Sequence, residues 1–278
     1  MNSEQLATWC QSSRPKPLVM GILNVTPDSF SDAGCYLDLD AAYLRAQAMI
    51  QQGVNILDIG GESSRPGAQP VSTDEELARI LPIIERIRAS HDVCISVDTC
   101  KADVMVAAVA SGATFINDIH ALQGEGALAA VAAMKVPVCL MHMQGTPVTM
   151  QNNPHYDQDI VVEINRFFQA RIDACVKSGI RRERLILDPG FGFGKSVQQN
   201  LLLLKRLAEF QIHRLPVLLG VSRKSTLGAV LNRAVMDRMP GGIAAAVYAV
   251  LHGASIIRTH DVDETTQAMQ MIHAIRMA

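Results

Sequence analysis

Eight stretches of this chain run apolar residues straight into a polar or charged one. In order, LVMGILN ends at Asn24, VNILDIGGE at Glu62, VCISVD at Asp98, and ATFIND at Asn117 and Asp118. VPVCLMH then ends at His142, RLILD at Asp188, LPVLLGVSRK at Ser222 to Lys224, and SIIRTH at Arg258 and His260. Continuous apolar runs suit strands covered on both faces of a parallel sheet. Eight of them alternating with helical segments predict an α/β chain folded as a single (β/α)8 (TIM) barrel. Such a barrel gathers its reactive side chains at the C-terminal ends of the strands. The polar residues that end the runs are therefore expected around one rim.

Helical spacing fills the intervals. The clearest segment starts at TDEE, where Thr73 and Glu76 have capping-box spacing ahead of Leu77, Ile80, Leu81, Ile84 and Ile87. Pro82 interrupts it and is expected to kink it. Further helices are expected near Asp40 to Gln52, Ala102 to Ser111, Gly126 to Met134, Asp157 to Ser178 and Val197 to Phe210. Others are expected near Ser225 to Gly253, in one or two pieces, and Val262 to Met277. Gly53, Gly112, Gly179 and Gly253 stand where left-handed C-caps are needed. Two connections, Val25 to Leu39 and Ser63 to Ser72, exceed what a barrel turn needs and are expected to be mobile lids over the site.

The 278 residues fit one such domain, 1–278, with about 1–16 as an N-terminal extension. A net charge of −2 gives no electrostatic reason for nucleic acid or an anionic membrane as partner. The six cysteines form no CxxC pair and read as core filling in a reducing, cytoplasmic setting. No signal peptide or membrane-spanning run is apparent.

The rim residues indicate the chemistry. Asp98, Asn117 and Asp188 end three different runs, and together they match the donors and acceptors along the edge of a flat heterocycle. Arg258 and His260 alternate so that both face one side, in the region where barrels often bind phosphate. Arg65 is placed to reach the same anion, and Lys224 to meet an acceptor oxygen or the ligand ring. DPGFGFGKS imitates a phosphate-binding loop, but only three residues separate Gly190 from Gly194 and Pro189 replaces the first glycine. It reads instead as a turn that presents Phe193 as a pocket wall. No nucleophile elbow or zinc-protease motif is present.

NVTPDSFSD (Asn24 to Asp32), GGESSRPG, SVDT, ND, MHMQGTP, DPGFGFGK, GVSRKS and RTHD occur in this order. The set closely resembles that of bacterial dihydropteroate synthases, from about Val19 onward. The resemblance implies that 6-hydroxymethyl-7,8-dihydropterin diphosphate is joined to para-aminobenzoate with release of pyrophosphate. It also implies Mg²⁺ and a homodimer, and with no insertion near Phe193 sensitivity to sulfonamides is the default expectation. Carried over by position, Asp98, Asn117, Asp188 and Lys224 form the pterin pocket, and Arg258 stacks on the ring. Asn24 is the metal ligand, and Arg65, Arg258 and His260 contact the diphosphate. Phe30, Pro66, Phe193 and Ser225 form the para-aminobenzoate sub-site, and Asp32 lies in the first loop. Ser64 stands where many relatives have Thr, and either supplies a hydroxyl. A methyltetrahydrofolate-dependent methyltransferase would keep the Asp and Asn contacts but has no use for the diphosphate binders. An inactive pterin-binding protein would not need the complete set.

Overall fold

The computed structural model describes residues 3–10, 16–26, 35–63, 67–151 and 154–278. Eight parallel strands close into a barrel in the order of the chain. They are β1 (Leu18–Asn24), β2 (Ile56–Gly60), β3 (Cys94–Asp98), β4 (Phe115–Asp118), β5 (Val138–Met141), β6 (Leu185–Asp188), β7 (Val217–Gly220) and β8 (Ala254–Thr259). All eight expected strands are present, and closure leaves no unpaired sheet edge.

The helices are α1 (Ser3–Cys10), α2 (Cys35–Gln51), α3 (Thr73–Arg88), α4 (Ala102–Ala110) and α5 (Ala127–Ala133). They continue with α6 (Ile160–Lys177), α7 (Val197–Lys205), α8 (Ser225–Leu231), α9 (Met239–Leu251) and α10 (Val262–Met277). The four expected glycine caps all have positive φ, between 84° and 112°. Ser225 to Gly253 forms two helices, and α2 starts five residues earlier than expected, at Cys35. No helix among the described residues is long and apolar enough to cross a membrane.

The start of α3 differs from the capping box read at Thr73. Its N-cap is Ser72, whose hydroxyl accepts from Glu75 N. Glu76 is consequently free for another partner. It is buried and takes Lys101 Nζ at 2.5 Å, and the same ammonium also pairs with Glu62. Glu62 therefore lies outside the barrel interior, although the apolar run led up to it. The helix continues through Pro82 to Arg88.

Alternation along each strand divides the barrel into an inner and an outer surface. Outward side chains such as Val19, Leu57, Ile95, Ile116, Leu140, Leu187 and Leu219 form one core with the helices. Inward side chains form a separate apolar layer of Leu18, Met20, Ile56, Cys94, Phe115, Cys139, Ile186, Leu218 and Ile256. Leu6 and Trp9 of α1 pack into this layer, and Trp9 Nε1 donates to Lys16 O at 2.7 Å. The N-terminal extension thus contains a helix that plugs the barrel, a feature absent from the periodicity reading because eight residues are too few to show a repeat.

Candidate active site

Moving two residues along each strand from the apolar layer reaches the same inward face one step nearer the C-terminal ends. Ile56 is followed there by Asp58, Cys94 by Ser96 and then Asp98, and Phe115 by Asn117. Ile186 is followed by Asp188, and Ile256 by Arg258. A ring of polar groups thus stands directly above an apolar floor.

Arg258 ties this ring together. Its Nε donates to Asp58 Oδ2 at 2.6 Å and its Nη2 to Asp98 Oδ2 at 2.7 Å. Asn117 Nδ2 donates to the same Asp58 oxygen at 3.2 Å. Burial opposes the charge of Arg258, but Asp58 and Asp98 outweigh it and raise its pKa. Burial pushes Asp98 up to about 7 even though Arg258 pulls it down, and Asp58 adds to the rise. Asp188 is likewise raised by burial, against the pull of Lys224. Gly190 N donates to its Oδ1 at 2.7 Å.

Lys224 closes the other side. Its Nζ donates to Phe191 O and lies 4.6 Å from the centroid of the Phe193 ring. Burial lowers its pKa to about 8, although Asp188 acts in the opposite direction. Ser225 is the exposed first residue of α8, immediately after Lys224. His260 stands just past the end of β8, with Nδ1 at 3.1 Å from the Oγ of Ser222, two residues beyond the end of β7. Arg258 and His260 therefore diverge, Arg258 into the barrel and His260 toward the β7 end.

Asn24 ends β1 with its amide at the rim, the Oδ1 at 3.7 Å from where a Cβ on Gly60 would lie. Among the described residues that amide has no hydrogen-bond partner, and no group of three His, Cys, Asp or Glu side chains is placed to hold a metal. A single neutral oxygen donor fits a Mg²⁺ that keeps water and substrate phosphate oxygens as its other ligands. Phe30, Asp32, Ser64, Arg65 and Pro66 lie outside the described residues.

Two residues of the barrel mouth escaped the reading of the run ends. Asp58 sits in the middle of its apolar run; the signal was a carboxylate two residues past an inward Ile, in register with Ser96. Lys195 was hidden within the glycine-rich loop. Conversely, Asp118 points outward, where its two oxygens accept from His120 N and Leu122 N at 2.7 Å each, so it shapes a loop rather than the ring. His142, which had no assigned role, meets Phe167 edge-on with ring centroids 4.9 Å apart.

Comparison with known proteins agrees with this geometry. The pattern of the pterin-binding enzyme family matches residues 20–260. The chain is 52% identical to dihydropteroate synthase of Escherichia coli K12 over 258 residues, covering 93% of this chain and 91% of the relative. It superposes on Yersinia pestis dihydropteroate synthase in a sulfonamide drug complex with TM-score 0.90, at 52% identity and 95% of each chain. Xanthomonas albilineans dihydropteroate synthase with 4-aminobenzoic acid gives TM-score 0.89 at 46% identity, over 95% of this chain and 94% of that one. With its closed eight-stranded barrel and the polar ring at the mouth, this chain belongs to the pterin-binding enzymes and, among them, to the dihydropteroate synthases.

Proposed function

We propose that this chain condenses 6-hydroxymethyl-7,8-dihydropterin diphosphate with para-aminobenzoate, giving 7,8-dihydropteroate and pyrophosphate, and that the ring around Arg258 is where the pterin sits. The observation that carries this reading is the set of Asp98, Asn117 and Asp188 above a flat apolar floor, coupled to one guanidinium. Carboxylates accept from the N–H donors of an amino-pyrimidinone edge, and the floor excludes water beneath the ring.

In the reaction the bond between the pterin methylene carbon and the diphosphate oxygen breaks. The amine nitrogen of para-aminobenzoate bonds to that carbon and its proton leaves to solvent or to the pyrophosphate. The pterin nitrogens delocalise the developing cation, which favours an SN1-like path. Asp98 and Asp188 stabilise positive charge in the ring, while Arg258, together with His260 and Arg65, stabilises the departing anion. An aryl amine is unprotonated at neutral pH, so no general base is required. Asn24 would hold Mg²⁺, which when bound would neutralise part of the diphosphate charge. Phe193 and Ser225, with Phe30, Ser64 and Pro66, are assigned to the para-aminobenzoate side, and Asp32 to the loop that covers it.

Mixing wild-type protein with both substrates and Mg²⁺ is expected to release pyrophosphate in proportion to para-aminobenzoate consumed, and a sulfonamide is expected to compete with the aryl amine. Silence there, combined with methyl transfer from methyltetrahydrofolate, would assign the site to the methyltransferase class instead.

A homodimer is part of the same proposal. Val230, Leu231 and Leu251 are 42–56% exposed, and Met236 in the turn between α8 and α9 is 71% exposed. An apolar surface of this kind is suited to a second copy. Sedimentation equilibrium is expected to give twice the chain mass; a single-chain mass at micromolar concentration removes the dimer from the proposal.

A further inference from the structure

The glycine-rich loop after β6 holds a lysine to which the reaction above gives no task. We propose that Lys195 is a positioning residue for the aryl-amine half of the site, acting through Phe193. The inference rests on the proposed division of the mouth into a pterin side and a para-aminobenzoate side.

Lys195 is only 2% exposed, and a lysine this buried persists only when its donors are used. Its Nζ donates to Phe193 O at 2.8 Å and to His142 O at 3.3 Å, and lies 3.1 Å from His142 Nδ1. Those three partners can take the three N–H donors of the charged form, which burial disfavours by pushing the pKa well below its ordinary value and the nearby Asp188 favours. His142 is itself fixed, by its ring against Phe167 and by its N–H to Asp188 O at 2.9 Å. Lys195 therefore fastens the back of the Phe191 to Lys195 loop to the end of β5.

The front of the same loop faces the reaction. Lys224 donates to Phe191 O and rests against the Phe193 ring. The loop has no slack between its two lysines. Gly190 has φ 68°, and a Cβ there would meet His142 O at 1.8 Å. Gly192 has φ 84°, and a Cβ there would meet Lys224 Cδ at 2.9 Å. Gly192 N donates to Asn200 Oδ1 at 2.7 Å and Tyr156 donates to Gly194 O at 3.0 Å, so both flanks are held independently of Lys195. At Phe193 itself the backbone is anchored by Lys195 Nζ and by the turn bond from its N–H to Gly190 O. Releasing Lys195 frees the Phe193 carbonyl to rotate, and the ring shifts with it. On the pterin side Asp98 and Asn117 are held by Arg258 and Asp58 on the opposite arc, and Asp188 and Lys224, which border the loop, keep their own bonds to Gly190 N and Phe191 O.

The test is a kinetic cycle in the full chain. Lys195→Met is expected to raise the KM for para-aminobenzoate about tenfold, the order expected when a hydrogen bond to a charged group is lost. The KM for the pterin diphosphate should change less than about twofold, and Lys195→Met added to Phe193→Ala should have little further effect, since coupled residues are not additive. A residue that served folding alone would lower the melting temperature without this split. Equal rises in both KM values, or full additivity with Phe193→Ala, overturns the inference. Should Lys195→Met not fold, His142→Phe keeps an aromatic ring against Phe167 and removes both ring nitrogens, including the Nδ1 that faces Lys195. It is then expected to give the same split at about threefold, and an unchanged KM for para-aminobenzoate would count against Lys195. A silent wild-type enzyme refutes the functional reading, whereas an active wild type with an indifferent Lys195→Met refutes this inference alone.

Discussion

Arg258→Ala is expected to remove turnover and to destabilise the fold by about 3–5 kcal/mol, the range seen when one partner of a buried ion pair is deleted. The reason lies in Asp58, whose side chain is fully buried and whose Oδ1 has no partner among the described residues. Without the guanidinium, Asp58 and Asp98 face each other as neighbouring carboxylates with only the Asn117 amide to compensate. The loss of function has a separate origin, since the same guanidinium is assigned to the leaving diphosphate. Arg258→Lys should not rescue the variant, because one ammonium cannot span two carboxylates as the planar fork does. Urea unfolding and pyrophosphate binding read the two effects independently. A variant that keeps both its midpoint and its pyrophosphate affinity would remove Arg258 from the centre of the site.

The second large effect is expected at Asp98. Asp98→Ala should weaken pterin binding by about 1.5–3 kcal/mol, the value of a hydrogen bond to a charged group. The pH dependence gives a sharper test. Burial sets Asp98 near a pKa of about 7, with Arg258 lowering it and Asp58 raising it. The ionised carboxylate is the form that accepts from the heterocycle edge. Pterin affinity should therefore fall as pH drops through about 7 and level off above it. In Asp98→Asn this limb should vanish, because the amide does not titrate. Titration calorimetry with a pterin lacking the diphosphate avoids ionisation of the phosphate. A flat wild-type profile, or a limb that survives in Asp98→Asn, would assign the titration to another group.

The strand pattern was legible because fully covered strands are apolar on both faces, so each run stood out whatever its register. Legibility decreased wherever the outcome depended on which face a residue took. Asn117 and Asp118 are neighbours at the end of one run, yet alternation sends Asn117 into the ring and Asp118 out to cap a loop. Asp58 was overlooked for the opposite reason: it interrupts an apolar run in mid-strand, where only its register with Ser96 and its contact with Arg258 reveal its position. Ser72 and Thr73 are both capable N-caps; the chain uses Ser72, and Glu76 turns inward to Lys101 instead of capping. Lys195 looked like part of an imitation phosphate loop until its contacts with β5 were visible. Phe30, Asp32, Ser64 and Pro66 rest on the family resemblance alone, and Arg65 on the resemblance together with its place in the SSRPG loop.

The floor beneath the polar ring contains two thiols, Cys94 and Cys139, both wholly enclosed. Burial raises the pKa of Cys94 to about 11 and that of Cys139 well above its ordinary value, so neither supplies thiolate at neutral pH while the barrel is closed. A thiol reagent can reach them only when the strands separate or α1 undocks, because the mouth above is lined by the ring and Leu6 and Trp9 seal the opposite end. Their modification rate therefore times opening of the barrel interior, unlike that of the partly buried Cys100, which lies outside that layer. Any ligand that binds only the closed barrel slows that clock in proportion to its occupancy, so affinity at the mouth is readable without catalysis.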